Sequence, residues 1–320
     1  MLKVVFFLAS ILMLAFPVLA DDAAWRQFER AQHAVKSFNF DVTFVQFRTN
    51  QPFTYRWLHG IHQQGGALPV ATSVEKLMSQ DDIGTDIFRR NDRVYYASPS
   101  NPVFVTMNKS IKELPPILFQ SPSIIAKVYD AVLGSSTSLS GRTAQLLRLT
   151  AFNNTRYSYW LWLDGETGFP LRVDTVDANN EVLERWMVVH LQIMPTLPAE
   201  LQSLVSVELP QEPAALAKTA TKASSYQLTW LPEGYQILPQ QLPTSALNNP
   251  LQAAWLLSDG IHEISVFVQQ NSGMPAQAFR EGATTLLIAP RSTMDVVVIG
   301  PLSVGLANQL AASVELLPIE

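Results

Sequence analysis

Alternation between apolar and polar residues decides most of what this chain can become. In "FNFDVTFVQF", Phe38, Phe40, Val42, Phe44 and Gln46 fall on one side of an extended chain, and Asn39, Asp41, Thr43, Val45 and Phe47 on the other. Strands of the same kind are expected in "FTYRWLHG", "NPVFVTM", "RTAQLLRLTAF", "TRYSYWLWLD", "FPLRVDTVD" and "VLERWMVVHLQI". "DIFRRNDRVYYAS" predicts a hairpin turning at Asn91-Asp92. The connections are short and turn-like, so neighbouring strands should pair antiparallel. Helices are few. One is expected over Asp21–Ser37, where Trp25, Phe28, Ala31 and Val35 are spaced by three and four. Another is expected in "SPSIIAKVYDAVLG", capped by Ser121 or Ser123 and stopped by Gly134. The front of the chain therefore reads as one large antiparallel sheet with a few helices.

The remainder organises itself around that sheet. "MLKVVFFLASILMLAFPVLA", residues 1–20, has one Lys, a short apolar run, Pro17 and small residues before a cut after Ala20. This is the pattern of a secretory signal, and the apolar run is short for a membrane anchor. The front domain is expected at 21–206. A linker at 207–226 follows, in "VSVELPQEPAALAKTATKASSYQ", which has no sustained apolar period. A smaller α+β domain is expected at 227–320. In it "AAWLLSDGIHEISVFVQQ" predicts a hairpin with Asp259-Gly260 at the turn, and "TTLLIAPRSTMDVVVIG" a second pairing. "PLSVGLANQLAASVELL" predicts a closing helix with Pro301 in its first turn and Leu302, Leu306 and Leu310 on one face.

Composition removes several function classes. The chain has no Cys, which excludes disulfides, thiolate metal sites, a Cys nucleophile and a lipid-modified N-terminal Cys. Without the signal, 21 basic residues stand against 27 acidic, a net of −6. That is not the basic field of a nucleic-acid binder. His59 and His62 have a spacing that suits a metal only on a helix, and Gly60, Gly65 and Gly66 argue against one. No metal or cofactor is expected. Gly-x-Ser-x-Gly, His-Glu-x-x-His and a credible Ser-x-x-Lys are absent. Asp164, Glu166, Asp174 and Asp177 lie near turns and read as solvated. A catalytic role is not expected.

What remains is aromatic surface. In "TRYSYWLWLD", Tyr157, Tyr159, Leu161 and Leu163 face one way, and Ser158, Trp160, Trp162 and Asp164 the other. A sheet covered on one side only should carry polar residues at every second position, and the two Trp break that rule. Phe40, Tyr55, Trp57, Tyr159, Trp160 and Trp162 are the candidates for lining an apolar cavity in the front domain. Ordinary core is the competing reading, because cores and cavities draw on the same residue types.

Several stretches resemble the RseB/MucB family of periplasmic regulators. They are "TRYSYWLWLDGETGFPLRVDTVDANNEVLERW", "YRW", "SYQLTWLPEGYQ", "LLSDGIHEISVFV" and "VVVIGPLSVGLANQLAASVEL", in the family's order and over nearly the whole mature chain. The resemblance implies a front domain similar to LolA and LolB, an antiparallel half-barrel with helices plugging its concave side. It implies a periplasmic protein that binds the periplasmic part of a membrane-spanning anti-sigma factor (RseA or MucA) and shields it from proteolysis. Lipopolysaccharide or its acyl chains would release the shield. The partner contact is expected on the back domain and the domain junction, on family grounds. One departure lies in "DDIGTDIFRRNDRVYY", where a Gly-Pro-Arg-like turn and an Arg-Glu pair are expected and absent. A lipoprotein or lipid carrier is the alternative reading, although a simple carrier does not need the second domain. Homo-oligomerisation is left open.

Overall fold

The computed structural model describes residues 18–49, 51–65, 70–81, 86–98, 101–209, 225–239, 245–246 and 249–317. Most of the expected signal segment, and residues 210–224 of the expected linker, lie outside the described residues. Val18–Ala20 begin the first helix, α1 (Val18–Ser37).

The front sheet is built from β1 (Asn39–Arg48), β2 (Gln51–Gln64), β3 (Val70–Ser79), β4 (Asp86–Arg90), β5 (Arg93–Ser98), β6 (Asn101–Met107), β7 (Tyr129–Leu139), β8 (Arg142–Ala151), β9 (Ser158–Asp164), β10 (Pro170–Val176) and β11 (Val182–Met194). The order is β6-β5-β4-β3-β2-β1-β11-β10-β9-β8-β7, an open sheet of 11 strands. Every neighbouring pair runs antiparallel, as the short connections require. Asn91 takes a positive φ of 56° at the β4–β5 turn, a conformation Asn tolerates better than most residues.

One buried cluster joins both limbs of this sheet to α1. Phe28, Ala31 and Val35 of the helix meet Phe40, Phe44 and Trp57 on one limb and Leu147, Tyr159 and Leu161 on the other. The helix thus fills the concave side of a half-barrel. Burying Phe28 alone contributes about 1.5–3 kcal/mol. The segment 111–120 lies over the same cluster as a lid, burying Ile111, Leu114, Ile117 and Leu118, and Gln32 ties it to the helix by donating to the carbonyls of Ile117 (3.3 Å) and Gln120 (2.6 Å).

The expected helix over Ser121–Gly134 is corrected. Only α2 (Pro122–Ile125) is helical, and the chain enters β7 at Tyr129. The helical spacing of Ile124, Val128 and Val132 competes here with a period of two. Tyr129 and Ala131 are buried, whereas Val132 is 49% exposed. Pairing with β8 supplies main-chain bonds along the segment, and the Tyr129 hydroxyl donates to the Tyr157 carbonyl at 2.9 Å. A sheet edge won over local propensity.

A third helix, α3 (Ala199–Ser206), covers part of the opposite sheet face. Its Leu201 packs with Leu58 and Val74 on β2 and β3. The double arginine of β4 holds this corner together. Arg90 Nη1 donates to the carbonyls of Leu204 (3.3 Å), Val205 (3.3 Å) and Val207 (2.9 Å), which the end of a helix leaves unpaired. Arg89 faces inward and pairs with Glu75, a buried ion pair beside His59. Burial holds the His59 imidazole below its usual range, and its Nδ1 lies 2.6 Å from the Phe38 carbonyl. His59 and His62 are three apart on a strand and so project to opposite faces. Among the described residues no group of three metal-ligating side chains occurs, and no helix is long and apolar enough to cross a membrane.

The back of the chain forms β12 (Tyr226–Leu228), β13 (Gln236–Leu238), β14 (Ser245–Ala246), β15 (Asn249–Ser258), β16 (Glu263–Gln270), β17 (Gln277–Glu281), β18 (Thr284–Pro290), β19 (Met294–Gly300), α4 (Val304–Ala312) and β20 (Val314–Leu316). The main sheet runs β13-β15-β16-β19-β18-β17, with β14 on β15, and β12 pairs with β20. Ser303 caps α4 by accepting from Leu306 N–H at 3.2 Å. Pro301 therefore precedes the cap, and Leu302 is buried before the helix begins. Two corrections of phase follow, but the expected pairings and closing helix are in place.

Leu161→Ala, at the centre of the front core, should lose about 2–5 kcal/mol of stability in urea unfolding. Val132→Ala, at the same sheet but exposed, should stay within about 0.5 kcal/mol. Equal effects would contradict the assigned faces of β7 and β9.

Candidate functional site: the domain junction

Two loop tips of the back sheet close the open end of the half-barrel. The first is Asp259–His262, between β15 and β16. Asp259 Oδ1 accepts from the backbone N–H groups of Ile261 (2.9 Å) and His262 (2.7 Å), and Gly260 takes φ 84°. The loop folds back on its own aspartate and turns Ile261 outward. That side chain belongs to the buried cluster of the front domain, with 8% of its surface exposed.

Polar groups surround this apolar insertion. The Tyr159 hydroxyl and His262 Nε2 lie 2.5 Å apart, with the rings nearly parallel at 4°. Asp259 Oδ2 accepts from Arg156 Nε at 3.1 Å and sits 3.6 Å from His262 Nδ1. The Arg156 and Asp259 side chains are both 1% exposed. Arg156 Nη2 also donates to the Glu233 carbonyl at 2.9 Å. The next residue, Gly234, has φ 83°, and a β-carbon there would come within 2.9 Å of the guanidinium. Only glycine lets the arginine reach this carbonyl.

The second tip is Gly282-Ala283, between β17 and β18. Ala283 N–H donates to the Glu184 carboxylate at 3.1 Å, and Gly282 N–H to Thr49 Oγ1 at 3.1 Å. Ala283 buries itself against Tyr157 and Leu183. A β-carbon on Gly282 would collide with Glu184.

These contacts shape the charges. Burial alone would raise the Asp259 carboxyl, but the bond and charge of His262 and the loop N–H groups outweigh it and hold it well below the usual range. Burial pushes the Tyr159 phenol well up, so it stays neutral. Burial also raises Glu184, against the bond from Ala283, and raises Glu113 nearby.

Two cavities flank the junction. One, of about 550 Å³, lies between Ile124, Lys127, Phe152 and Arg156 on one side and Gln236 and Asp259 on the other. Phe152 is 61% exposed at its rim. The other, of about 210 Å³, is lined by Glu113, Tyr159, Glu184, Trp186, His262 and Ala283 among others. Trp186 Nε1 and a Glu113 carboxylate oxygen have no protein partner at its wall. The arrangement is suited to binding and to domain docking. Tyr159, His262 and Asp259 stand in the order of a proton relay, but the hydroxyl is buried and used across the junction.

The six residues expected to line one cavity do not share one site. Phe40 and Trp57 pack edge-to-face at 4.7 Å, fully buried, and Tyr55 stacks on Phe44 at 5.3 Å. These three lie on the inner face with Tyr159. Trp160 and Trp162 are on the outer face, beneath Arg148 and Arg172. Of the six, Tyr159 alone lines either junction cavity. The alternation in "YSYWLWLD" had already separated Tyr159 from the two Trp. Arg156, Glu184 and His262 went unnoticed as junction residues. The one available signal was Ile261, an apolar residue at a hairpin tip.

A family model for the MucB/RseB N-terminal domain matches residues 23–211, and one for the MucB/RseB C-terminal domain matches residues 220–315. The chain belongs to the MucB/RseB family. It is 25% identical over 301 residues to the sigma-E factor regulatory protein RseB of Salmonella typhimurium, covering 92% of each chain. It is 25% identical over 313 residues to the sigma factor AlgU regulatory protein MucB of Pseudomonas aeruginosa, covering 96% of this chain and 95% of that one. The Pseudomonas aeruginosa MucA/MucB complex shares the fold with a TM-score of 0.70 at 21% identity, over 93% of this chain and 100% of that one. MucB alone gives a TM-score of 0.59 at 22% identity, over 92% of this chain and 98% of that one. The two family models leave residues 212–219 between them.

For Glu184 and Glu113 the folded carboxyl is raised above its ordinary value of 4.5, so the junction loses stability as pH rises through and above 4.5. Asp259 acts oppositely, but only below 3.8, where its contribution begins to be lost. Glu184→Gln should therefore be more stable than the natural protein at about pH 7, with the advantage vanishing toward pH 4.5. Thermal melts of both across that range check this. A variant less stable at neutral pH would contradict the burial assigned to Glu184.

Proposed function

We propose that this protein is a periplasmic regulator that binds the periplasmic part of an RseA/MucA-like anti-sigma factor and shields it from proteolysis. Lipopolysaccharide, or another ligand with acyl chains, then releases it. The observation that carries the reading is the match of both domains, over nearly the whole chain, to a family with relatives named as sigma-factor regulators. One solved relative, MucB, is held in complex with MucA(peri).

The junction suits the role physically. A partner segment seated at the 550 Å³ cavity would touch both domains at once. Its binding would then depend on how the domains are docked. An acyl chain gains roughly 0.8 kcal/mol per CH₂ buried, so one chain supplies enough to shift that docking. Linkage is reciprocal: a lipid that favours a different arrangement weakens the partner by the factor by which the partner weakens the lipid. The inner-face residues Phe40, Tyr55, Trp57 and Tyr159 could wall the acyl site only after α1 or the lid moves, because Phe40 and Trp57 are fully buried as they stand. The lipid-carrier alternative leaves the paired contacts of Arg156, Tyr159 and Glu184 with the back domain without a purpose.

Calorimetry of the mature protein with the periplasmic segment of its own organism's anti-sigma factor tests the reading. Tight binding, weakened by lipopolysaccharide fragments, is expected. No heat at micromolar concentrations would move the reading to the carrier.

A further inference from the structure

The outer face of β8–β11 carries a feature that neither the core nor the junction uses. Arg148, Trp160, Trp162 and Arg172 form a ladder across three strands. The Arg148 guanidinium lies 5.2 Å from the Trp160 ring, and that of Arg172 lies 4.1 Å from the Trp162 ring. The two indoles meet at 68° and 6.5 Å. Arg185 extends the row onto β11. Beneath it Asp174, with its side chain fully buried, accepts from Arg172 Nε (2.9 Å), Arg185 Nε (2.9 Å) and Arg185 Nη2 (3.0 Å), and also from Arg172 Nη2. One carboxylate thus serves two guanidiniums through a single edge of each. The Nη1 edges are left unengaged by it. Arg148 has no carboxylate partner among the described residues. Val132, 49% exposed, stands opposite Arg148 on β7. The carboxylates Asp130 and Glu166 lie at the margins, and Glu166 is held by Arg142.

We propose that this face docks on an anionic phospholipid bilayer. Guanidinium edges match lipid phosphates in a two-bond geometry, and Trp is the side chain that settles at the headgroup level of a membrane. β8, β9, β10 and β11 are interior to the sheet, so their main-chain groups are already paired. An acidic peptide would find a strand edge only at β7, to one side of the arginine–indole row. A flat sugar would find each indole already stacked by an arginine. Among the described residues, the α3 helix covers the outer face at β2, β3 and Arg90 of β4, away from β8–β11. The chain as a whole carries −5, so the attraction is local to the arginine row and sensitive to salt. The face lies on the opposite side of the sheet from Tyr159, so the bilayer and the junction can be occupied together.

The test is co-sedimentation of the mature protein with vesicles of phosphatidylethanolamine and phosphatidylglycerol, against vesicles of phosphatidylcholine. Binding to the anionic vesicles only, falling as salt rises, is expected. Arg148→Glu, checked for folding by circular dichroism, should bind about five-fold more weakly, or worse, per unit of charge changed. Trp160→Phe/Trp162→Phe should lose the blue shift of indole emission that the vesicles produce in the natural protein. Equal binding to both vesicle types overturns the proposal, as does an Arg148→Glu variant that binds undiminished. Full competition by inorganic phosphate at constant ionic strength, or binding of an acidic polypeptide at this face without vesicle binding, also overturns it. Arg148→Glu should keep its calorimetric affinity for the anti-sigma segment, so failure here is distinct from failure of the regulatory reading.

Discussion

An open sheet of 11 strands has an apolar inner face that must be taken from water, and α1 does most of that work. Phe28, Ala31 and Val35 sit where Phe40, Trp57 and Leu161 converge. The curl of the sheet, the lid over residues 111–119 and the position of α2 all follow from filling that concavity. At one end Tyr159, Glu184 and Trp186 line a cavity together with His262 and Ala283 of the back domain. That end is where the back domain enters.

The junction then follows from what the open end exposes. Tyr159, Glu184 and Trp186 would otherwise meet water at the rim. The back domain supplies Ile261 for the apolar part, and His262, Asp259 and the Ala283 N–H for the polar part. Arg156 and Asp259 are buried as a pair, and breaking such a pair by removing one partner typically costs about 3–5 kcal/mol. Separating the domains, by contrast, lets water solvate both ions. A junction of this kind can open as a unit, yet it tolerates loss of Arg156 or Asp259 alone poorly.

The legible part of the fold was its alternation. "FNFDVTFVQF" assigned each side chain of β1 to its face, and Phe40, Val42 and Phe44 are fully buried. "TRYSYWLWLD" did the same for β9. The misreading over Ser121–Gly134 arose because Ile124, Val128 and Val132 satisfy a helical spacing while Tyr129 and Ala131 satisfy a strand. Long-range pairing with β8 decided between them. The aromatic site was legible only in part. Trp160 and Trp162 were recognised as an anomaly on a face expected to be polar, but their cover is arginine from β8 and β10. No spacing within β9 contains that information.

By itself the sequence determined the class of fold, the strands of the front sheet other than β3 and β7, the β15–β16 and β18–β19 pairings of the back sheet, the absence of disulfides and the family. These depend on local periodicity, turn chemistry and composition, which are read within a few residues. Only the tertiary structure decided that Tyr159 meets His262, that Arg156 is neutralised by Asp259, and that Glu184 receives the Gly282-Ala283 turn. Each of these pairs joins residues about a hundred positions apart. Their meeting depends on how two sheets dock, and docking is set by the summed shape of both surfaces rather than by any one stretch of chain.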